Sequence, residues 1–284
     1  MKNHGSELKV KRGQLYQLST ETWPNVEDPV KTKMAPIAAA AAWGLGHWES
    51  MEEYTRVIPR GTTDSAFYQA ILSIHRSDFH AAQMFIDKAR DLLDTELTAL
   101  AGESYSRAYG AMVHVQMFAE LEEVIQYKLI PERRDAIKEK WWDRLQGCQR
   151  IVEDWQKIMQ VHSLVVSPQE DMRSWLKYAS LCRRAGRLTM SNRTLVMLLG
   201  HDPSSNPGAQ LPYTHPQVTF AYIKHMWKSN QKQNAFNNLL NFVNVSLMSQ
   251  EFVNNNQLSP DIAKLLSKCY LKTGRMGGKS SWYQ

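Results

Sequence analysis

Apolar residues recur at intervals of three or four along nearly the whole chain, and this spacing confines the fold to packed amphipathic helices. Met172, Trp175, Leu176, Ala179 and Cys182 share one face of such a helix. Its start is marked by Ser167, Pro168 and Glu170, a cap, a first-turn proline and a capping-box acid. Its end is marked by Arg183 and Arg184 in the last turn and Gly186 beyond them. Ser259-Pro260-Asp261 and His215-Pro216-Gln217 open two further helices, and Lys272-Thr273-Gly274 closes the first of these. Short β-branched runs such as Ser163 to Val166 have neither a partner run nor a hairpin turn, so no strand is expected.

The helices are arranged as hairpins with a common joint. A small or polar residue is followed two positions later by a large apolar one, and then by a second amphipathic helix. The joints read from the sequence are Gly46-His47-Trp48, Ser77-Asp78-Phe79, Ala119-Glu120-Leu121, Gly186-Arg187-Leu188 and Gly274-Arg275-Met276. A single hairpin is too small to bury its apolar face, so stacked neighbours must supply the core. The alanines from Ala38 to Ala42 suit such stacking, because small side chains let helices approach closely. The fold class is therefore all-α, an α-solenoid of tetratricopeptide- or HEAT-like hairpin repeats. The Pro-, Ser- and Gly-containing stretch from His201 to His215 reads as a loop, and Asn254 to Gln257 as a polar connector. Gly13-Gln14-Leu15-Tyr16 resembles a joint without its first helix, and Gly274-Arg275-Met276 a joint without its second. The array thus reads as a segment cut mid-repeat at both ends.

Composition excludes several alternatives. The 284 residues are 43% hydrophobic and 22% charged, ordinary for a folded chain. The net charge of +6 is dispersed among carboxylates, as in Glu132-Arg133-Arg134-Asp135, which fits solvated helix faces rather than nucleic-acid binding. Cys148, Cys182 and Cys269 are too scattered for a zinc knuckle and read as reduced, mostly buried thiols. The start of the chain lacks the apolar run of a signal peptide, and the most apolar stretch, Ala35 to Gly46, is too short to span a bilayer. The expected compartment is cytosolic or nuclear.

Catalytic motifs are incomplete wherever they are approached. Gly274 to Ser280 resembles a phosphate-binding loop, but it encloses too few residues between its glycines and follows a helix. His75-Arg76-Ser77-Asp78 is a near match to a kinase catalytic loop that lacks its companion motifs and reads better as a hairpin turn. His75 and His80 have no glutamate between them placed to form a metal-binding helix. The plentiful tryptophans, among them Trp141, Trp142, Trp155, Trp175 and Trp227, fit packing between repeats. Arg173, Lys177 and Arg184 lie on the face of their helix opposite Trp175 and Leu176, a basic stripe open either to solvent or to an anion.

Six runs carry a resemblance to a known family. They are residues 38–53 (AAAAAWGLGHWESMEE), 86–113 (IDKARDLLDTELTALAGESYSRAYGAMV) and 120–134 (ELEEVIQYKLIPERR), followed by 141–158 (WWDRLQGCQRIVEDWQKI), 163–181 (SLVVSPQEDMRSWLKYASL) and 215–229 (HPQVTFAYIKHMWKS). Together they resemble the FAT region of the TOR (target of rapamycin) serine/threonine kinases, within the phosphoinositide-3-kinase-related family. The resemblance is colinear over residues 13–276, leaving 1–12 as an unmatched terminus expected to be disordered and 277–284 as an unmatched tail. It implies a solenoid that wraps the parent's kinase domain as a clamp, within assemblies serving nutrient and growth signalling. The kinase motifs lie downstream in that family, so the resemblance implies a non-catalytic scaffold whose partners are the parent's kinase domain and other subunits of TOR complexes. It places the parent in the cytoplasm, with lysosomal or other endomembrane surfaces and the nucleus as further sites. The family's FAT region also holds an inositol polyphosphate, such as inositol hexakisphosphate, in a basic pocket. The positions here that match its basic residues are Arg150, Lys177, Arg184 and Lys228, with the remainder expected from later repeats.

Overall fold

The computed structural model describes residues 7–102, 104–205, 211–212, 214–247 and 260–280, and every regular element among them is helical. The expected Asn254–Gln257 connector and the Ser259 cap lie outside the described residues. The chain divides into two compact units, Ser6–Ser167 and Pro168–Gln284.

The first unit contains α1 (Glu7–Thr22), α2 (Asp28–Leu45), α3 (Trp48–Val57), α4 (Thr63–His75), α5 (Phe79–Ala101), α6 (Tyr105–Leu129), α7 (Arg134–Gly147) and α8 (Val152–His162). Sequential helices pack as hairpins, most extensively α4 with α5, followed equally by α2 with α3 and α5 with α6. Alternate helices also touch, α2 with α4, α4 with α6 and α6 with α8, which is the stacking of a helical-repeat array. The alanine run works as expected: Ala35, Ala38, Ala39 and Ala42 are fully buried.

The hairpin joints share one backbone solution. Gly46, Ser77, Gly186 and Asn230 all adopt the left-handed conformation, with φ of 76°, 61°, 77° and 68°. In each case the next residue donates its N–H back across the helix end, His47 to Ala42 O, Asp78 to Ser73 O, Arg187 to Cys182 O and Gln231 to Met226 O. These are the bonds of a Schellman cap. That same residue is the N-cap of the following helix, so one left-handed position both ends a helix and starts the next. Asp78 strengthens its joint by accepting from the Ala81 N–H at 3.0 Å.

Several expected boundaries move. Ala119-Glu120-Leu121 is no joint but lies inside α6, because alanine favours helix and has no ready access to the left-handed region. Gly274-Arg275-Met276 lies within a helix that continues to Ser280, so Gly274 closes nothing and the glycine-rich run is helical. Gly13 lies inside α1, Glu7–Thr22. Gly13 and Gly274 thus both lie in helix interiors rather than at joints. A further joint, Asn230-Gln231-Lys232, departs from the sequence pattern, because Lys232 stands where the other joints carry a large apolar residue.

A polar network pins α6, α7 and α8. Glu123 on α6 accepts from Trp141 Nε1 at 2.8 Å, from Arg144 at 2.7 and 3.0 Å, and pairs with Lys140 at 2.7 Å. Burial works against the charge of Glu123, but these donors outweigh it and hold its pKa below the usual carboxylate range. One turn earlier, the fully buried Glu120 meets His162 Nε2 at 2.9 Å, and the His162 ring stacks on Trp141 with centroids 4.2 Å apart. Four consecutive residues of α6 thereby commit two carboxylates to fixed partners on α7 and α8.

The second unit contains α9 (Met172–Arg184), α10 (Leu188–Leu199), α11 (Pro216–Lys228), α12 (Lys232–Asn241), continued by a π-helical segment (Phe242–Leu247), and α13 (Pro260–Ser280). The expected helix from Pro168 starts instead at Met172, after a turn whose Asp171 carboxylate accepts from the Ser174 hydroxyl at 2.7 Å. Its apolar core joins Ala179 of α9, Leu195 and Leu198 of α10, Val218 and Ile223 of α11, and Leu239 of α12.

Candidate functional site: a basic cluster in the second unit

The amphipathic pattern of α9 turns Tyr178, Ala179 and Cys182 into the core and leaves Arg173 and Arg184 exposed with Lys177 half-buried between them. The basic stripe expected on this helix is therefore present. Lys228 is exposed in the last turn of α11, which packs on α9. Arg150 is exposed just before α8 and belongs to the first unit.

Helix packing assembles basic residues that the α9 stripe alone did not reveal. Lys224, one turn before Lys228, is influenced by the cations Arg183 on α9 and Lys268 and Lys272 on α13. Lys224 Nζ also lies 4.3 Å from the centre of the Phe220 ring, and Lys272 Nζ 5.9 Å from that of Trp227. Burial, reinforced by the neighbouring cations, pushes the Lys224 pKa down to about 8. The adjacent His225 is buried with Nδ1 lacking a hydrogen bond, and burial together with Arg183 pushes its pKa down to about 4. Arg183 is itself held below the usual arginine range by burial and by Arg184. Cys269, buried between these groups, is pushed up to about 12 by burial, against the pull of Lys224.

Among the described residues, Lys177, Arg183, Arg184, Lys224, Lys228 and Lys268 have no carboxylate within ion-pairing distance. Repulsion within such a group is relieved by a multivalent anion, which replaces it with charge-assisted hydrogen bonds. The sequence held a signal for this: Lys224 and Lys228, and Lys268 and Lys272, repeat a one-turn lysine spacing on two separate helices. No group of histidine, cysteine and carboxylate side chains placed to hold a metal occurs among the described residues.

Stacked helical hairpins carrying a cationic cluster define a helical-repeat module. The FAT domain family profile matches residues 35–283, and the chain belongs to that family. It is 54% identical over 259 residues to the serine/threonine-protein kinase mTor of Drosophila melanogaster, covering 91% of this chain and 10% of that protein. It is 38% identical over 279 residues to the serine/threonine-protein kinase TOR2 of Saccharomyces cerevisiae, covering 92% of this chain and 11% of that protein. The tor1 kinase of Schizosaccharomyces pombe is 36% identical over 276 residues, covering 92% of this chain and 12% of that protein. The chain thus spans about a tenth of the length of these curated relatives and corresponds to their FAT region rather than to a kinase domain. The match reaches past Met276, where the resemblance read from the sequence ends.

Proposed function

We propose that this chain is the non-catalytic clamp and scaffold segment of a TOR-like serine/threonine kinase. In this reading it packs on the kinase domain of the parent and presents surfaces to other subunits of TOR complexes in nutrient and growth signalling. The family match across an array of stacked hairpins carries the reading. The working compartment is the cytoplasm, with endomembrane and lysosomal surfaces and the nucleus reached through the parent complex. No helix among the described residues is long and apolar enough to cross a membrane, which suits this placement. The direct test is binding of the purified chain to a separately produced TOR kinase domain, together with a phosphotransfer assay on the chain alone. Retention of the kinase domain without turnover supports the reading, and turnover by the chain itself overturns it.

The second reading concerns the uncompensated cations. An inositol polyphosphate bound by Lys177, Arg184 and Lys228, the three positions of the family resemblance that fall within the second unit, fits a group lacking carboxylate partners. Lys224, Lys268 and Arg183 supply charge from within the same unit. A ligand specific to the folded state adds about 2.7 kcal/mol at a hundredfold excess over its Kd. Inositol hexakisphosphate should raise the Tm, and Lys177→Glu combined with Arg184→Glu should remove the rise. Equal stabilisation of the double variant shows Lys177, Arg184 and Lys228 to be a solvated face.

A further inference from the structure

A pocket of about 160 Å³ opens in the first unit between α2, α4, α6 and α8, away from the basic cluster. Its floor is apolar and buried, formed by Trp43, Phe67, Tyr68, Met117 and Phe118. The aromatic rings brace one another edge to face, Trp43 to Phe67 at 5.8 Å and Phe67 to Phe118 at 5.6 Å, so the floor is rigid. Cavities of about 150 Å³ with apolar linings accept a benzene-sized guest. The space therefore suits one large apolar side chain.

The rim has a different character. Asp64, in the first turn of α4, and Lys157, on α8, both line the mouth and both are exposed. Neither forms an ion pair, with the other or with any described residue, so the mouth offers one negative and one positive group together. Thr63 also lines the pocket; Thr62 Oγ1 caps the Ser65 N–H at 3.3 Å, while the amides of Thr63 and Asp64 have no acceptor within the helix. An anionic ligand group placed between these amides and Lys157 would meet two favourable partners. A cationic group beside it would meet Asp64.

We propose that this pocket binds a free α-amino acid with a large apolar side chain. The side chain fills the aromatic floor, the ligand's ammonium pairs with Asp64, and its carboxylate lies against Lys157 and the start of α4. Neither half of the site is selective alone. The floor accepts any apolar group of the right size, and the rim accepts any small dipolar ion, but only the two together specify this class.

The test is calorimetric titration of the full chain with L-phenylalanine and L-leucine, and with two partial ligands. Glycine carries the charges without the side chain, and N-acetyl-phenylalaninamide carries the side chain without the charges. Saturable binding of the two apolar amino acids and of neither partial ligand is expected. Asp64→Asn and Lys157→Met, both at exposed positions, should each weaken binding by about tenfold. Ala40→Phe, at the half-buried wall, should abolish it, with circular dichroism to verify helical content. Binding of N-acetyl-phenylalaninamide as tight as that of phenylalanine overturns the proposal and makes the pocket an anchor for a protein side chain. Absence of binding up to the solubility of phenylalanine, or affinity unchanged in both charge variants, overturns it as well.

Discussion

His225 lies buried on α11 beside a partly buried arginine, and the two settle its protonation state between them. Its pKa falls to about 4 in the folded chain, against an unfolded value of about 6.5. The unfolded state therefore binds the proton more readily, and stability must fall as pH falls. The contribution is complete above about pH 6.5 and lost progressively toward pH 4, for a total of about 3 kcal/mol. Urea midpoints measured at intervals across this window should track the loss, and His225→Leu should flatten the curve there. A curve equally steep in His225→Leu would assign the pH dependence elsewhere. Loss through Glu123 falls in a lower window, because its pKa is already held below the usual carboxylate range by Lys140, Arg144 and Trp141 against the opposing effect of burial. The neighbouring Lys224 behaves differently from both. Its depressed pKa means that neutral pH already finds the folded chain carrying an unfavourable charge, which a bound polyanion would relieve with uptake of a proton near pH 8 to 9.

The element scale is governed by the joints. Ser77 is the one joint residue that adopts the left-handed conformation with neither the freedom of glycine nor the tolerance of asparagine. Ser77→Gly should therefore stabilise the chain by about 1 kcal/mol, and Gly46→Ala and Gly186→Ala should destabilise it by about the same amount. No atom lies within 4 Å of a Cβ built on Gly46 or Gly186, so backbone strain alone sets the cost. Thermal melts of the three variants check both signs. The same joints show how far the sequence could be read. Gly46, Ser77 and Gly186 were legible because a small or polar residue stood two places before an apolar one. Asn230 was not, because Lys232 in the apolar place is polar. Ala119 and Gly274 matched the pattern yet lie in helices, since the pattern records residue size and not the backbone angle that makes a joint. The basic site divides in the same way. The α9 stripe follows from helical spacing alone, whereas Lys224 feels Arg183, Lys268 and Lys272 through the tertiary fold, and no local pattern contains that proximity.

At the scale of the whole molecule, the division into two compact units has an energetic consequence. Each unit has its own buried core and its own marker. In the first unit the marker is the bidentate pairing of Glu123 with Arg144, and in the second it is the cationic cluster around Lys224. Perturbations confined to one unit should then be felt mainly by that unit's own unfolding transition, because distant and unshared sites act additively. Glu123→Gln removes the charge that Lys140 and Arg144 pair with while keeping the size of the side chain. It should lower the stability of the first unit by about 1 kcal/mol, because Lys140 and Arg144 stay partly solvated when they lose the charge of their buried partner. Inositol hexakisphosphate should raise the stability of the second unit alone. Hydrogen exchange with mass spectrometry across a urea series reports both units in one sample. The expected pattern is a shift of peptides from α6 to α8 in the variant, and a shift of peptides from α9, α11 and α13 with the anion. Movement of all peptides together under either perturbation would show that the two units unfold as one, and that the array transmits stability along its full length.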